Sequence, residues 1–324
     1  MSELIPPFHL REVLLAPWGE NFQYYCWIML MGFLVTATCG LIGNYLILRR
    51  MALVGDAISH SVLPGIAIAF LFAGTRNSLV MLAGALAAGI ATTLLIEAIH
   101  RRTRVKQDAA IGIVFSTLFA IGVILISLFA SQVDLDTDCV LYGDIGNVQI
   151  EPRVSLAGVE IAPESVFLMS VVALVVAALI LLFYKELLVS SFDSGLSASL
   201  GINPSVMHYS LMCVLSAVVV SAFQSVGAIL VIAMLILPGA SAYLLVHRLP
   251  WMMLLSLVHS ALSAVVGMHL AIWLNCSTAG AMVVAGAGLF VIAWIFSPGQ
   301  GLLRRVFKRE LEAVPEAVAS PARL

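Results

Sequence analysis

The sequence predicts an all-α polytopic membrane protein, a bundle of about eight to nine transmembrane helices with the N-terminus outside and the C-terminus cytoplasmic. Three observations carry this. Of the 324 residues, 61% are hydrophobic and 10% charged, against roughly 25% charged in a soluble domain, so the chain cannot cover a water-facing surface of its own size. Its mean hydropathy of +1.07 is gathered into runs of the length that crosses a bilayer, about 20 apolar residues at 1.5 Å rise each. The Lys and Arg side chains then fall mostly on one side of the alternation these runs create.

The runs lie at roughly 24–48, 51–72, 78–99, 109–130, 166–184, 207–223, 226–246, 251–273 and 278–296. The sixth and seventh are barely separated, so one long broken helix plus a re-entrant piece is an alternative to two crossings. Residues 1–23 hold Glu3, Pro6, Pro7, Arg11, Glu12, Pro17 and Glu20 without an early apolar core, which does not read as a cleavable signal. With this segment outside, Arg11, Arg76 and Arg153 are its side's positive charges and the other 13 of the 16 Lys and Arg residues lie inside. An odd number of spans follows. The division is a 1–23 extracytoplasmic segment, a 24–297 membrane domain and a 298–324 cytoplasmic tail.

A net charge of −2 offers no basic field for nucleic acid. The five cysteines, Cys26, Cys39, Cys139, Cys213 and Cys276, contain no C-x-x-C pair and read as small apolar filler, with a Cys139–Cys276 bridge as the alternative. Two loops are long. The outer one, 131–165, carries Asp134, Asp136, Asp138, Asp144, Glu151, Glu160 and Glu164 against Arg153; it is either a solvated cap or a surface that receives a partner or gathers cations. The inner one, about 185–206, encodes a short helix, with Asp193 or Ser194 as its N-cap, Gly201 as its terminator and Pro204 barring its continuation. Such a helix either lids the bundle or docks on something.

Ionisable groups at membrane depth are costly and mark function by default. In RRMALVGDAISHSVLPGIAIAF, Asp56 and His60 are four residues apart, which sets them about 40° apart around an α-helix and about 6 Å along it. A carboxylate oxygen and an imidazole nitrogen can then meet one cation, and these donors suit zinc, manganese or ferrous iron. One chain gives two ligands where a closed site takes four or more. Two chains about a pseudo-two-fold axis supply two Asp and two His, and the two carboxylates balance one divalent cation. The bland alternative is an ion pair, or Asp56 capping a helix made irregular by Pro64 and Gly65.

Other candidates are weaker. Glu97 and His100 form an E-x-x-H pair beside Arg101 that reads as a snorkelling cluster. His259 reads as a packing histidine, and His269, toward the outer end of the eighth run, is either the same or a ligand where metal is admitted. Gln224, Gly227, Pro238 and Gly239 sit where helices break, as a gate or hinge or as close helix packing. No G-x-x-x-x-G-K-[ST] loop, H-E-x-x-H or G-x-S-x-G motif occurs, so the chain reads as non-catalytic, with no permanently bound cofactor.

GDAISHSVLPG at 55–65, preceded by Arg49, Arg50 and Met51, resembles the permease subunits of bacterial ABC importers for zinc, manganese and iron, as does SVGAILVIAMLILPGASAYLL at 225–245. The resemblance covers about 24–297. It implies a permease dimer, homodimeric or paired with a paralogue, in the bacterial inner membrane, with cytosolic ABC ATPase subunits and an extracytoplasmic metal-binding protein. It implies that Asp56 and His60 line the transport path for Mn²⁺, Zn²⁺ or Fe²⁺, and that the loop holding Asp193, Ala198 and Gly201 couples to the ATPase. Pro238-Gly239-Ala240-Ser241 departs from the more usual Pro-Ala-Ala-Thr, Gln224 stands where some relatives carry a carboxylate, and Asn275-Cys276-Ser277 departs from a common Asp/Pro turn. The competing class is a stand-alone proton-coupled metal carrier, separated from the importer by whether the purified chain co-isolates with an ATPase.

Overall fold

The computed structural model describes residues 6–19, 21–74, 78–129, 145–156, 159–299 and 301. Asp134, Asp136, Asp138, Cys139, Asp144, Arg76 and the tail beyond residue 301 lie outside the described residues, as does the side chain of Gln224. Among the described residues, eight helices are long and apolar enough to span a membrane. In chain order the helices are α1 (Phe22–Leu48), α2 (Val54–Ala73), α3 (Ser78–Arg102), α4 (Gln107–Phe129), α5 (Glu164–Leu182), and the short α6 (Tyr184–Phe192) and α7 (Ser194–Ser199). Pro204–Leu245 is helical throughout except at Gly227, whose φ of 72° and ψ of 168° divide it into α8 (Pro204–Phe223) and the shorter α9 (Leu230–Leu245). Then follow α10 (Leu249–Leu274) and α11 (Thr278–Phe296).

The expected ends are where the chemistry places them. Asp193 caps α7, its Oδ1 accepting from the N–H groups of Gly195 (2.8 Å) and Leu196 (3.0 Å), and Gly201 closes it at φ 81° while Ile202 N–H donates to the Ser197 carbonyl. That left-handed position is one a glycine takes without Cβ strain. Pro204, expected as a stop, also starts a helix: Asn203 caps α8 through the N–H groups of Ser205 and Val206, and proline fills the first turn, where no amide donor is needed. The inner loop thus holds two short helices rather than one. Phe183 (φ −101°, ψ 23°) turns the chain out of α5 into α6. The outer loop holds an element that an all-α reading omits, an antiparallel pair of strands, β1 (Arg153–Leu156) and β2 (Val159–Pro163).

The break at Gly227 reverses the chain. Ile42 on α1 shares a cavity wall with Met207, Leu211 and Val214, while Gly40, Gly43 and Asn44 lie against Pro238, Leu235 and Gly239. In a straight helix Leu211 and Gly239 would be about 40 Å apart; here both flank the same stretch of α1. So α8 and α9 run in opposite directions, with α9 shorter than the eight helices long enough to span. Trp273 Nε1 donates to the Pro6 carbonyl (3.1 Å) and His269 Nδ1 to that of Val13 (2.8 Å) at the far end of α10, whereas Ser297 Oγ donates to the Leu244 carbonyl (2.7 Å) beside its start. The N-terminal segment and the end of α11 are therefore at opposite ends of the bundle.

The main core cluster draws on nearly every helix, with fully buried Met31, Ile42, Tyr45, Leu215 and Met234 of α1, α8 and α9 among its largest members, and a smaller one joins Val62, Ala85 and Val220. Small residues let helices touch: a Cβ on Gly43 would lie 1.9 Å from the Leu235 carbonyl oxygen, and one on Gly65 2.4 Å from that of Gly84. Close approach through glycine is how helices associate where lipid removes the hydrophobic drive.

Candidate metal site

Asp56 and His60 stand one turn apart on α2, with Asp56 Oδ1 and His60 Nε2 3.3 Å from each other. Their depth follows from the neighbour between them: Ile58 and Ser216 both meet Gly89, which is midway along α3, about 20 Å from Arg102 at 1.5 Å per residue. The His60 ring lies 5.4 Å from that of Phe115 and 5.9 Å from that of Phe119, halfway along α4. The pair is thus level with the middle stretches of α3 and α4.

α2 is held there by close contacts on two sides. Gly65 and Gly84 bring it onto α3, and a Cβ on Gly122 of α4 would lie 2.9 Å from Pro64. Ser59 and Ser61 donate back to the Gly55 and Ala57 carbonyls and, unlike Asp56 and His60, are buried. The side chains of His60 and Asp56 remain 30% and 38% exposed. A carboxylate left open at mid-membrane is unfavourable against lipid, so this face needs a polar or protein cover. No group of three or more His, Cys, Asp or Glu able to hold a metal exists among the described residues, in keeping with the two-ligand count of one chain. Arranged about a two-fold axis, two such faces would offer two oxygens and two nitrogens to one cation.

The other candidates stay apart from this pair. His269 is at the outer end of α10, its Nδ1 engaged by the Val13 carbonyl and its ring 6.2 Å from that of Trp18, where it ties the N-terminal segment to the bundle. His259 is buried among α9, α10 and α11, with Nε2 lacking a hydrogen-bond partner. Pro238 and Gly239 pack against Gly40, Asn44 and Ile47 of α1. Asp193, Ala198 and Gly201 form the exposed α7 turn, flanked by Phe192, Leu196 and Leu200, exposed by 64%, 50% and 61%. Glu97 binds Arg101 as expected but its second oxygen takes His208 Nε2 (3.1 Å) rather than His100, which instead meets the Val105 carbonyl. The pairing spans 111 residues, so no local spacing signals it. Arg49, read from the sequence as a positive charge on the inner side, reaches Ser190 and Ser191 at 2.9 and 3.0 Å, joining the end of α1 to α6.

The model of the ABC 3 transport family matches residues 21–297. Among curated proteins, the chain is 43% identical over 283 residues to the manganese transport system membrane protein MntD of Bacillus subtilis (strain 168), covering 87% of this chain and 95% of that one. It is 40% identical over 296 residues to the zinc transport system membrane protein TroD of Treponema pallidum (strain Nichols), 90% and 80% covered. Among solved structures it is similar to PsaBC from Streptococcus pneumoniae in complex with Fab, with a TM-score of 0.74 at 32% identity, 92% and 100% covered.

Proposed function

The chain belongs to the ABC 3 transport family, and from that premise we propose that it passes a divalent transition-metal cation, Mn²⁺, Zn²⁺ or Fe²⁺, between the Asp56–His60 pairs of two permease chains. It is the multi-pass permease of an ABC metal importer in the bacterial inner membrane, a transport component. The observation that carries the proposed path is the half-open Asp56–His60 pair, level with the middles of α3 and α4, with no third ligand in its own chain among the described residues. The second chain is a copy of this one or a paralogue, and it completes the ligand set while covering the face. Asp56 balances the charge of the cation and His60 supplies a borderline nitrogen donor. Pulling the two chains apart halves the ligand count and releases the metal.

The sidedness follows the positive charges, which places Arg49, Arg101, α6 and α7 in the cytoplasm and Pro6–Trp18 outside. ATPase subunits then dock on the exposed apolar side of α7, held in shape by Asp193 and Gly201, and drive the chains between outward and inward states. A soluble metal-binding protein delivers the cation at the outer end, where His269 is a first contact. Gly227, Pro238 and Gly239 are the places where α8 and α9 flex against α1.

The test compares wild type with Asp56→Asn in vesicles holding the full complex at matched expression. ATP-dependent metal uptake is lost in the variant while assembly and ATP hydrolysis persist. Uptake that survives the substitution sinks the site; uptake that needs no ATPase points to a proton-coupled carrier instead.

A further inference from the structure

We propose that the Arg49 end of the bundle holds an anionic phospholipid, its phosphate in a basic cavity and an acyl chain in an adjoining apolar one. The basic cavity, about 390 Å³, is lined by Arg49, Arg50, Arg101 and the hydroxyls of Ser190, Ser191 and Ser205. No carboxylate lines it among the described residues. Arg101 is already compensated by Glu97, but neither Arg49 nor Arg50 has an acidic partner among the described residues. Arg49 is half-buried with two neutral hydroxyls for company, and desolvation holds its guanidinium below its ordinary pKa. A cation in that position is stabilised by any anion that can follow it out of water. Arg50 sits at φ 59°, a left-handed site that favours glycine, and places a second guanidinium at the same cavity.

The occupant is identified by what lies next door. A second cavity of about 340 Å³ is lined by Ile42, Ile180, Leu187, Met207, Leu211 and Val214. Three helices contribute to both: α1 carries Ile42 and leads into Arg49 at its cap, α6 runs from Leu187 to Ser190 and Ser191, and α8 from Leu211 to Ser205, with α5 closing the apolar cavity and α3 supplying Arg101 to the basic one. Between them on α1 is Tyr45, fully buried with its hydroxyl unpaired. A free phosphate would use the basic cavity and leave the apolar one idle. A phosphodiester joined to a hydrocarbon chain uses both, each buried methylene adding to the charge-assisted contacts. The bound lipid would staple α1 to α6, next to α7, and this reading stands independently of the metal path.

The experiment uses the purified, delipidated complex in nonionic detergent, titrated with dioleoylphosphatidylglycerol, with the unfolding midpoint as readout. A saturable rise is expected with this lipid and none with phosphatidylcholine. Arg49→Gln weakens the apparent affinity about tenfold, the scale of one charge-assisted contact. Val214→Trp, which fills the apolar cavity and keeps every arginine, weakens it as well. If Arg49→Gln does not assemble, Arg50→Gln and Val214→Trp carry the same comparison. An equal response to phosphatidylcholine, or unchanged affinity in the arginine variants, overturns the anion site. A rise produced by inorganic phosphate alone and untouched by Val214→Trp overturns the lipid in favour of a free phosphate.

Discussion

Gly65→Ala tests whether the α2–α3 contact sets the position of the proposed metal ligands, Asp56 and His60. A Cβ at Gly65 would lie 2.4 Å from the Gly84 carbonyl oxygen and 2.6 Å from Ala88 Cβ, where ordinary contacts are about 3.5 Å. Backbone on one side and a methyl on the other cannot swing aside, so α2 must move off α3 by about 1 Å. Overpacking of this kind costs about 1–3 kcal/mol. The helix moves as a unit and carries Asp56 and His60, while metal–ligand distances tolerate only about 0.2 Å. Thermal unfolding of the complex and metal uptake in proteoliposomes should both fall, uptake the more severely. Gly288→Ala on α11 is the control: nothing lies within 4 Å of its Cβ, and alanine is favoured over glycine in a helix by about 0.5–1 kcal/mol, so stability should hold or rise. Full stability and uptake in Gly65→Ala, or equal damage from Gly288→Ala, would refute the reasoning.

Two further outcomes follow from local geometry. Asp193→Ala removes the acceptor for two amide donors of α7, a loss of about 1 kcal/mol; metal moved per ATP hydrolysed should drop, with Asp193→Asn restoring most of it because asparagine caps equally well. Gly227→Ala places a side chain at φ 72°, ψ 168°, a region essentially reserved for glycine and costing about 1–3 kcal/mol otherwise, so the variant should show a lower unfolding midpoint than Gly288→Ala in the same detergent.

Much of this fold is written locally. Long apolar runs, Asp193 as a cap, Gly201 as a terminator and the four-residue spacing of Asp56 and His60 depend on residues within a turn or two of one another, and the structure carries each. The β1–β2 pair escaped because RVSL and VEIAP are short and lie in a polar loop, and the Ala157-Gly158 step between them is not one of the Asn-Gly, Asp-Gly or Gly-first pairs that announce a hairpin. His208 escaped as the partner of Glu97 because a buried hydrogen bond between helices leaves no periodic trace, whereas the nearby His100 offered a misleading one. The direction of the chain past Gly227 was equally unreadable: α8 and α9 are apolar around most of their circumference, so no stripe states which face meets α1.

By itself, then, the sequence determined the solvent this chain folds in, the lengths and ends of its helices, and one pair of donors able to share a cation. Tertiary structure decided the reversal at Gly227, the level of Asp56 and His60 beside the middles of α3 and α4, their half-open face, and the meeting of Arg49 with Ser190 and Ser191. The division is physical. Backbone hydrogen bonding and burial in lipid act over a few residues and so are encoded in short stretches, while depth, cover and charge compensation depend on which distant helix comes to lie alongside.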